Sequence, residues 1–312
     1  MEKKIKGIHH VTAIVGNPQE NVDFYAGVLG LRMVKQTVNF DDPGTYHLYF
    51  GDDLGSPGTI ITFFPWDGAH KGRIGGGQVG TTSYAVPKGS LSFWENRLKK
   101  YNVSFNRSIR FGETYLVFND THGLQLELVE REGGKLNQWN VGEITSDVAV
   151  KGFAGATLLS ANPELTADLL VTVMGLESAG EEDGVIRFQS TADIGNIVDV
   201  KKDSVPRGRM GVGTVHHIAW RSDDDHNQLE WKEHLENNSY PVTPVQDRNY
   251  FNAIYFREHG DILFEIATDP PGFTIDEAPE ELGSRLMLPA QYEPHREQIK
   301  QVLPPIQIHE LE

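Results

Sequence analysis

The sequence predicts an α+β chain of four βαβββ modules in two tandem domains, curled into two incomplete β-barrels. Three observations predict it. The order strand, helix, three strands recurs along the 312 residues. The two halves align at a nearly constant spacing. Asn17-Pro18 and Asn162-Pro163 are 145 residues apart, as are Val28-Leu-Gly-Leu31 and Val173-Met-Gly-Leu176. His122-Gly123 and His259-Gly260 are 137 apart, as are Trp94 and Trp231, while Glu127 and Glu265 are 138 apart. A fixed spacing of this kind marks a duplicated unit. Finally, His-His pairs and a carboxylate stand inside apolar strand-like runs at matching module positions, which predicts a metal cup built from modules one and four.

The first strand is read over residues 7–15. Asn17 as N-cap, Pro18 at the first helical position and Glu20 three residues after the cap start a helix. Val22, Tyr25, Ala26 and Leu29 recur at helical spacing, and Gly30 ends it. Strands follow near 33–39, 45–50 and 58–64, separated by Asp/Pro/Gly turns. The glycine-rich stretch 71–77 is not followed by a helix start, so it reads as a flexible connector rather than a phosphate loop.

Module two has a strand at 80–86, a helix with Leu91, Trp94, Leu98 and Tyr101 on one face, and strands near 103–109, 113–119 and 123–130. Module three starts near 153, with a helix from Asn162-Pro163 to Gly175 and strands near 184–189 and 195–201. Module four spans 214–268, its helix carrying Leu229, Trp231 and Leu235. The expected domains are therefore residues 5–132 and 150–269, joined by a polar, Gly-rich linker around 133–142. Residues 270–312 form a Pro-rich extension with a short helix near 294–302, expected to pack on the surface rather than act as a lid.

The net charge of -16 argues against a nucleic-acid partner and against an anionic membrane surface. The chain has no cysteine, which excludes disulfides, thiolate metal sites and a Cys nucleophile and fits a cytoplasmic location. Neither a signal peptide nor a transmembrane run is expected.

Glu265 lies in Asp261-Ile-Leu-Phe-Glu-Ile-Ala267, where a charge is costly unless it is paired or bound to a metal. The matching imidazoles are in Ile8-His9-His10-Val11 and Val215-His216-His217-Ile218. Strand alternation points one His of each pair into the cup and gives the other a different job. Modules three and four alone supply His217 and Glu265, because Gly155 stands where His10 would recur. Modules one and two supply His10 and Glu127. Pairing module one with module four brings His10, His217 and Glu265 together and leaves modules two and three as a metal-free barrel, with Glu127 structural.

These residues resemble the vicinal oxygen chelate superfamily, the glyoxalase/bleomycin-resistance/dioxygenase group, and within it the ring-cleaving hydroquinone dioxygenases. The resemblance rests on Ile8-His9-His10-Val-Thr12, Tyr46-His-Leu-Tyr-Phe-Gly51, Gly55-Ser-Pro-Gly-Thr59, Val86-Pro-Lys-Gly-Ser90, Val215-His216-His217 and Phe264-Glu265-Ile-Ala-Thr268, in that order. It covers residues 5 to about 295. It implies Fe(II) held by His10, His217 and Glu265, with Mn, Zn or Ni able to replace it in a purified sample. Three positions on the metal stay open for substrate and O2.

The resemblance further implies Tyr255, Arg248 and His216 as catalytic residues, and His9, Thr12 and Arg248 as substrate contacts. Arg248 would hold negative charge on the ring's second oxygen, and Tyr255 would donate a proton. The implied activity is a ring-cleaving dioxygenase for hydroquinone-type aromatics, with catechol-type rings as a variant. Its partners would be a small aromatic substrate, O2 and further copies of the chain in a homo-oligomer. Two rivals remain. A glyoxalase-like isomerase or lyase would need a further carboxylate, but module one offers Thr62 and Phe63 there. A non-catalytic aromatic-binding protein would lack the metal triad.

Overall fold

The structure is a computed structural model, and it describes residues 3–203 and 205–309. Module one contains β1 (Ile8–Val15), α1 (Pro18–Val22), β2 (Arg32–Val38), β3 (Tyr46–Gly51) and β4 (Ile60–Pro65). Module two contains β5 (Gln78–Val86), α2 (Leu91–Lys100), β6 (Phe105–Arg110), β7 (Glu113–Asn119) and β8 (Gln125–Glu130). Module three contains β9 (Gly152–Leu159), α3 (Pro163–Asp168), β10 (Glu177–Glu182), β11 (Val185–Gln189) and β12 (Ile197–Lys201). Module four contains β13 (Thr214–Ser222), α4 (Asp225–Asn237), β14 (Gln246–Asp247), β15 (Phe251–Arg257) and β16 (Leu263–Pro271), and a last helix, α5, spans Arg296–Val302.

The strands form two eight-stranded sheets. One has the order β14-β15-β16-β13-β1-β4-β3-β2, the other β10-β11-β12-β9-β5-β8-β7-β6. Module one therefore joins module four, and module two joins module three. The seams are antiparallel, β1 on β13 and β5 on β9. Within each module the first strand lies parallel to the last, as in β1 on β4 and β13 on β16. Each half of the sequence thus gives one module to each sheet.

The strands at the seams, such as β1 and β5, are buried along their whole length, which is why they read as nearly continuous runs with few charges. Phe264 and Ile266 pack into the main core, while Ala267 belongs to a smaller cluster with Tyr49, Tyr250, Phe251 and Phe273. Glu265 lies on the same strand face as Ala267 and is fully buried.

Several local expectations change. The helix starting at Asn17 is α-helical only to Val22 and continues as a π-helical segment over Asp23–Val28, where the Leu29 amide donates to the Phe24 carbonyl. Module three repeats this over Leu169–Val173. An inserted residue of this kind leaves apolar spacing nearly intact, so periodicity does not reveal it. Leu229 is exposed, because the buried face of α4 is Gln228, Trp231 and Leu235, and Leu229 lies off that i, i+3, i+7 stripe. Strand β10 carried no apolar signal because its first five residues are exposed.

The 71–77 connector is an ordered crossing rather than a flexible one. Arg73 exchanges backbone hydrogen bonds with Arg209 across the two halves. A Cβ on Gly75 would sit 2.4 Å from the Pro206 carbonyl oxygen, so a side chain there would force the two connectors apart. The C-terminal extension lies along the β2 edge of the first sheet. The Met287 amide donates to Gln36, buried Lys35 pairs with Asp276 and Glu277, and the Tyr292 hydroxyl donates to the Phe40 carbonyl.

Candidate metal centre

The seam between β1 and β13 brings together three donors from distant parts of the chain. His10 Nε2 and His217 Nε2 are 3.3 Å apart. Glu265 Oε2 lies 2.8 Å from His217 Nε2 and 3.3 Å from His10 Nε2. All three side chains are buried. Among the described residues this is the one group of three or more His, Cys, Asp or Glu side chains whose ligand atoms all lie within 4.8 Å of one another.

The first histidine of each pair does not turn away as alternation predicts. The β1–β13 ladder shifts register between Ile8 and His10 and again between Thr12 and Ala13, opposite His216. Each shift is a β-bulge that re-aims a side chain. As a result His9 Nδ1 sits 2.9 Å from His10 Nδ1, and His216 Nδ1 sits 2.8 Å from His217 Nδ1. If His10 and His217 offer Nε2 to a metal, their Nδ1 atoms carry the protons and donate to these neighbours. His9 and His216 then hold their own protons on Nε2.

The donors fit a divalent first-row metal. Both Nδ1 atoms have imidazole partners, both Nε2 atoms aim at one point, and neither Glu265 oxygen receives a well-aligned hydrogen bond. A fully buried carboxylate without donors is costly unless a cation supplies them. Burial alone would raise the Glu265 pKa, but His10 and His217 outweigh it and hold the carboxyl well below its usual range.

A cavity of about 520 Å³ opens onto the triad. That volume suits a small molecule. Its wall includes His10, Thr12, His216, His217, Arg248 and Tyr255, all of them expected from the sequence. His9 does not line the cavity; its ring packs on Phe251 with centroids 5.3 Å apart, and its Nε2 has no well-aligned hydrogen-bond partner. Tyr255 is the cross-strand partner of Glu265. Arg248 Nε donates to the Tyr255 hydroxyl at 3.3 Å, and Arg248 Nη2 donates to Gln246 at 2.5 Å. Burial, then the Glu265 charge, pushes the Tyr255 phenol up strongly, so it stays protonated at neutral pH. Burial, then His217, pulls His216 down to about 3, which keeps it neutral.

Sequence reasoning gave no role to His47, Tyr49, Phe64, Trp66 or Phe251, which also line the cavity. The available signal was Tyr46-His47-Leu48-Tyr49, where His47 and Tyr49 share one strand face. Phe64 and Trp66 stack with an 18° interplanar angle and form a flat wall.

The ladder registers explain why this site has three protein donors. Ala219, two residues after His217, pairs with Glu265; Thr12, two residues after His10, pairs with Thr62. Thr62 thus occupies the module-one counterpart of the Glu265 position. In the other sheet the same bookkeeping pairs Ser83 with Glu127 and Thr157 with Asp199. The histidine positions there are Thr81 and Gly155, and a Cβ on Gly155 would meet the Ile197 carbonyl oxygen at 2.1 Å. Arg110 fills the gap. It donates to both oxygens of Glu127, at 2.9 and 2.6 Å, and to Asp199 at 3.0 Å, while Arg187 holds Asp199 from the other side. Glu127 is thus paired with Arg110 and the Ser83 hydroxyl rather than with imidazoles.

Comparison with known proteins agrees with this geometry. Residues 7–128 match the model of the Glyoxalase/Bleomycin resistance protein/Dioxygenase superfamily. The chain is 65% identical over its whole length to MhqO of Bacillus subtilis (strain 168), a proposed ring-cleaving dioxygenase that it also covers completely. It is 34% identical to the chlorohydroquinone/hydroquinone 1,2-dioxygenase of Sphingobium indicum, covering 94% of each chain. The crystal structure of a proposed dioxygenase from Bacillus subtilis superposes with a TM-score of 0.98 over 99% of this chain and 100% of that one, at 65% identity. Glyoxalase I from Zea mays shares the fold alone, with a TM-score of 0.63 at 12% identity over 85% of this chain and 92% of that one. The chain belongs to the glyoxalase/bleomycin resistance protein/dioxygenase superfamily and, within it, to the ring-cleaving dioxygenases.

Proposed function

We propose that this chain is a non-haem Fe(II)-dependent dioxygenase that opens hydroquinone-type rings next to a ring hydroxyl. The observation that carries the reading is the triad His10, His217 and Glu265 with Thr62 in the place of a fourth donor. Two imidazoles and one carboxylate form the facial set of oxygen-using iron sites. Bound there, Fe(II) would supply open coordination positions and the electron exchange that lets O2 react with an aromatic ring.

The chain's own residues have separable tasks. His9 and His216 hold the ring nitrogens of the ligands in one tautomer. Phe64, Trp66 and Phe251 offer apolar surface to a flat ring and keep water from its faces. Arg248 draws negative charge on the substrate's far oxygen; burial opposes its positive charge, but Tyr255 and Glu265 outweigh burial and keep the guanidinium protonated. Tyr255 stays protonated and can donate at its hydroxyl. His216 lines the cavity and, with Nδ1 accepting from His217, would carry its proton on Nε2. Thr12 adds a hydroxyl on the wall two residues from His10.

The hydroquinone preference is supported by the Sphingobium relative, whose name gives that substrate class. The isomerase reading needs a further carboxylate where Thr62 stands. A cytoplasmic location is part of the proposal and agrees with the absence of cysteine. Among the described residues, no helix is long and apolar enough to cross a membrane.

The test is anaerobic reconstitution with Fe(II), then O2-electrode assays with hydroquinones and catechols. Stoichiometric O2 uptake with a ring-opened product is expected. No uptake with any of them would sink the proposal, and turnover of an α-ketoaldehyde–thiol adduct with Ni or Zn would favour the isomerase.

A further inference from the structure

Module one contributes to the cavity wall a chain of four polar side chains that the triad does not use. The Tyr49 hydroxyl lies 3.0 Å from His47 Nδ1. His47 Nε2 lies 2.7 Å from Thr62 Oγ1, which in turn lies 3.0 Å from Thr12 Oγ1. All four side chains are buried, and Thr12, His47 and Tyr49 line the cavity. Thr12 marks the end near the triad, two residues beyond His10. Tyr49 marks the other end and packs against Tyr250 and Phe273.

Every member can both donate and accept, and that is what distinguishes the chain from an ordinary buried network. A neutral imidazole has one N–H and one lone pair, and a hydroxyl has both. Two arrangements therefore satisfy the same three contacts. In one, Tyr49 donates to Nδ1, Nε2–H donates to Thr62, and Thr62 donates to Thr12. In the other, Thr12 donates to Thr62, Thr62 donates to Nε2, and Nδ1–H donates to Tyr49. Burial, followed by the nearby imidazoles of His10 and His217, lowers the His47 pKa, so the ring is neutral and both arrangements are available.

We propose that Thr12, Thr62, His47 and Tyr49 form a proton relay along the cavity wall, carrying a proton between a substrate hydroxyl at the triad end and the Tyr49 end. The proposal rests on the dioxygenase reading for its substrate, an ionisable ring hydroxyl. Starting from the second arrangement, Thr12 Oγ1 takes the proton of that hydroxyl and passes its own to Thr62. Thr62 passes its proton to His47 Nε2. Nδ1–H goes to the Tyr49 oxygen, and the Tyr49 proton leaves to a water molecule in the cavity, which hands it on to solvent buffer. The relay ends in the first arrangement with every residue neutral, and the substrate is left as a phenolate with its proton at the other end. Running backwards, it returns the proton after the ring has opened.

The position of Thr62 gives the relay its physical basis. It occupies the module-one counterpart of Glu265. A carboxylate there would serve as a fourth metal donor, whereas a threonine hydroxyl can pass a proton.

The experiment uses the full chain, reconstituted with Fe(II), in three variants. Thr62→Val cuts the middle of the relay, Tyr49→Phe removes one end, and Thr62→Ser keeps a hydroxyl. The expected result is a loss of kcat by about 100-fold in T62V and Y49F, as for loss of a general acid–base path, with little change in KM. T62S restores most of the loss. Wild-type kcat in T62V and Y49F, or a T62S enzyme as slow as T62V, would overturn the relay.

A second readout does not depend on activity. The ¹⁵N shifts of the His47 ring report its tautomer. In Y49F the Nδ1 partner is gone, and the proton is expected on Nε2, facing Thr62. In T62V the Nε2 partner is gone, and the proton is expected on Nδ1, facing Tyr49. The same tautomer in both variants, or a charged ring at pH 7, would overturn the relay. If the wild-type protein takes up no O2 while the tautomer moves as expected, the substrate reading fails and the relay stands.

Discussion

His10 and His217 come from strands 207 residues apart in the chain, yet their Nε2 atoms stand 3.3 Å apart, with Glu265 Oε2 within 3.3 Å of both. Two imidazole lone pairs and a carboxylate do not share so small a space without a cation. His10→Ala, His217→Ala and Glu265→Gln should each abolish stoichiometric metal binding. Metal content after anaerobic Fe(II) loading and desalting checks this, and full occupancy in any of the three would contradict the cross-half site.

The bulged histidines should matter through their neighbours. His9→Ala and His216→Ala each remove the acceptor that fixes a ligand tautomer. Loss of such an outer partner typically weakens metal affinity by about 10–100-fold. Competition with a chelator measures the effect. Unchanged affinity in both variants would mean that the Nδ1–Nδ1 contacts do not support the site.

Arg248→Lys should damage the site although charge is conserved. Arg248 reaches Tyr255 and Gln246 at once through a planar fork, which an ammonium on a flexible stem does not reproduce. A drop in kcat/KM of about 10–100-fold is expected, as for a charged hydrogen bond worth ~1.5–3 kcal/mol. Steady-state O2 uptake tests it.

In the second sheet, Arg110→Ala should leave Glu127 and Asp199 facing each other with one guanidinium fewer. Breaking a buried ion pair from one side costs about 3–5 kcal/mol, and the low end is expected because Arg187 still holds Asp199. Urea unfolding measures the loss. Metal content should stay unchanged, because Thr81 and Gly155 provide no imidazole there.

Stability of the metal-free protein should fall with acid before ordinary carboxylates titrate. His9, His47 and His216 are buried neutral, and burial is the leading cause of each lowered pKa. The unfolded chain takes up protons at these positions below about pH 6.5 while the folded chain does not. Their neutral burial therefore costs nothing above that pH, and stability is lost as pH falls towards the folded values, about 3 for His216. Each group contributes a slope of about 1.4 kcal/mol per pH unit in that window. His47→Gln should flatten the slope between roughly pH 6 and 5 by one such group, read from denaturation midpoints across pH.

Much of the fold could be read from the amino-acid order. Repeats such as Asn17-Pro18 and Asn162-Pro163 imposed four modules because the same caps and apolar spacings rebuild the same local structure. The sheet pairing was also legible, through chemistry rather than propensity. Glu265 had no imidazole partner within its own half beyond His217, and that shortage pointed to module one. Of the three apolar residues named for the fourth helix, Leu229 is exposed while Trp231 and Leu235 are buried, and exposed β10 carried no apolar pattern at all.

What the sequence determined by itself was most of the strands, their apolar faces and the three residues able to share a metal. Tertiary structure alone decided how the remaining side chains meet them. Two β-bulges turn His9 and His216 back onto the ligand rings, because one extra residue in a ladder re-aims a side chain that strict alternation sends away. Ladder register sets Thr62 in the counterpart position of Glu265 and closes Arg110 over Glu127. Such contacts depend on which strands become neighbours and in what register, and no local pattern of residues encodes that by itself.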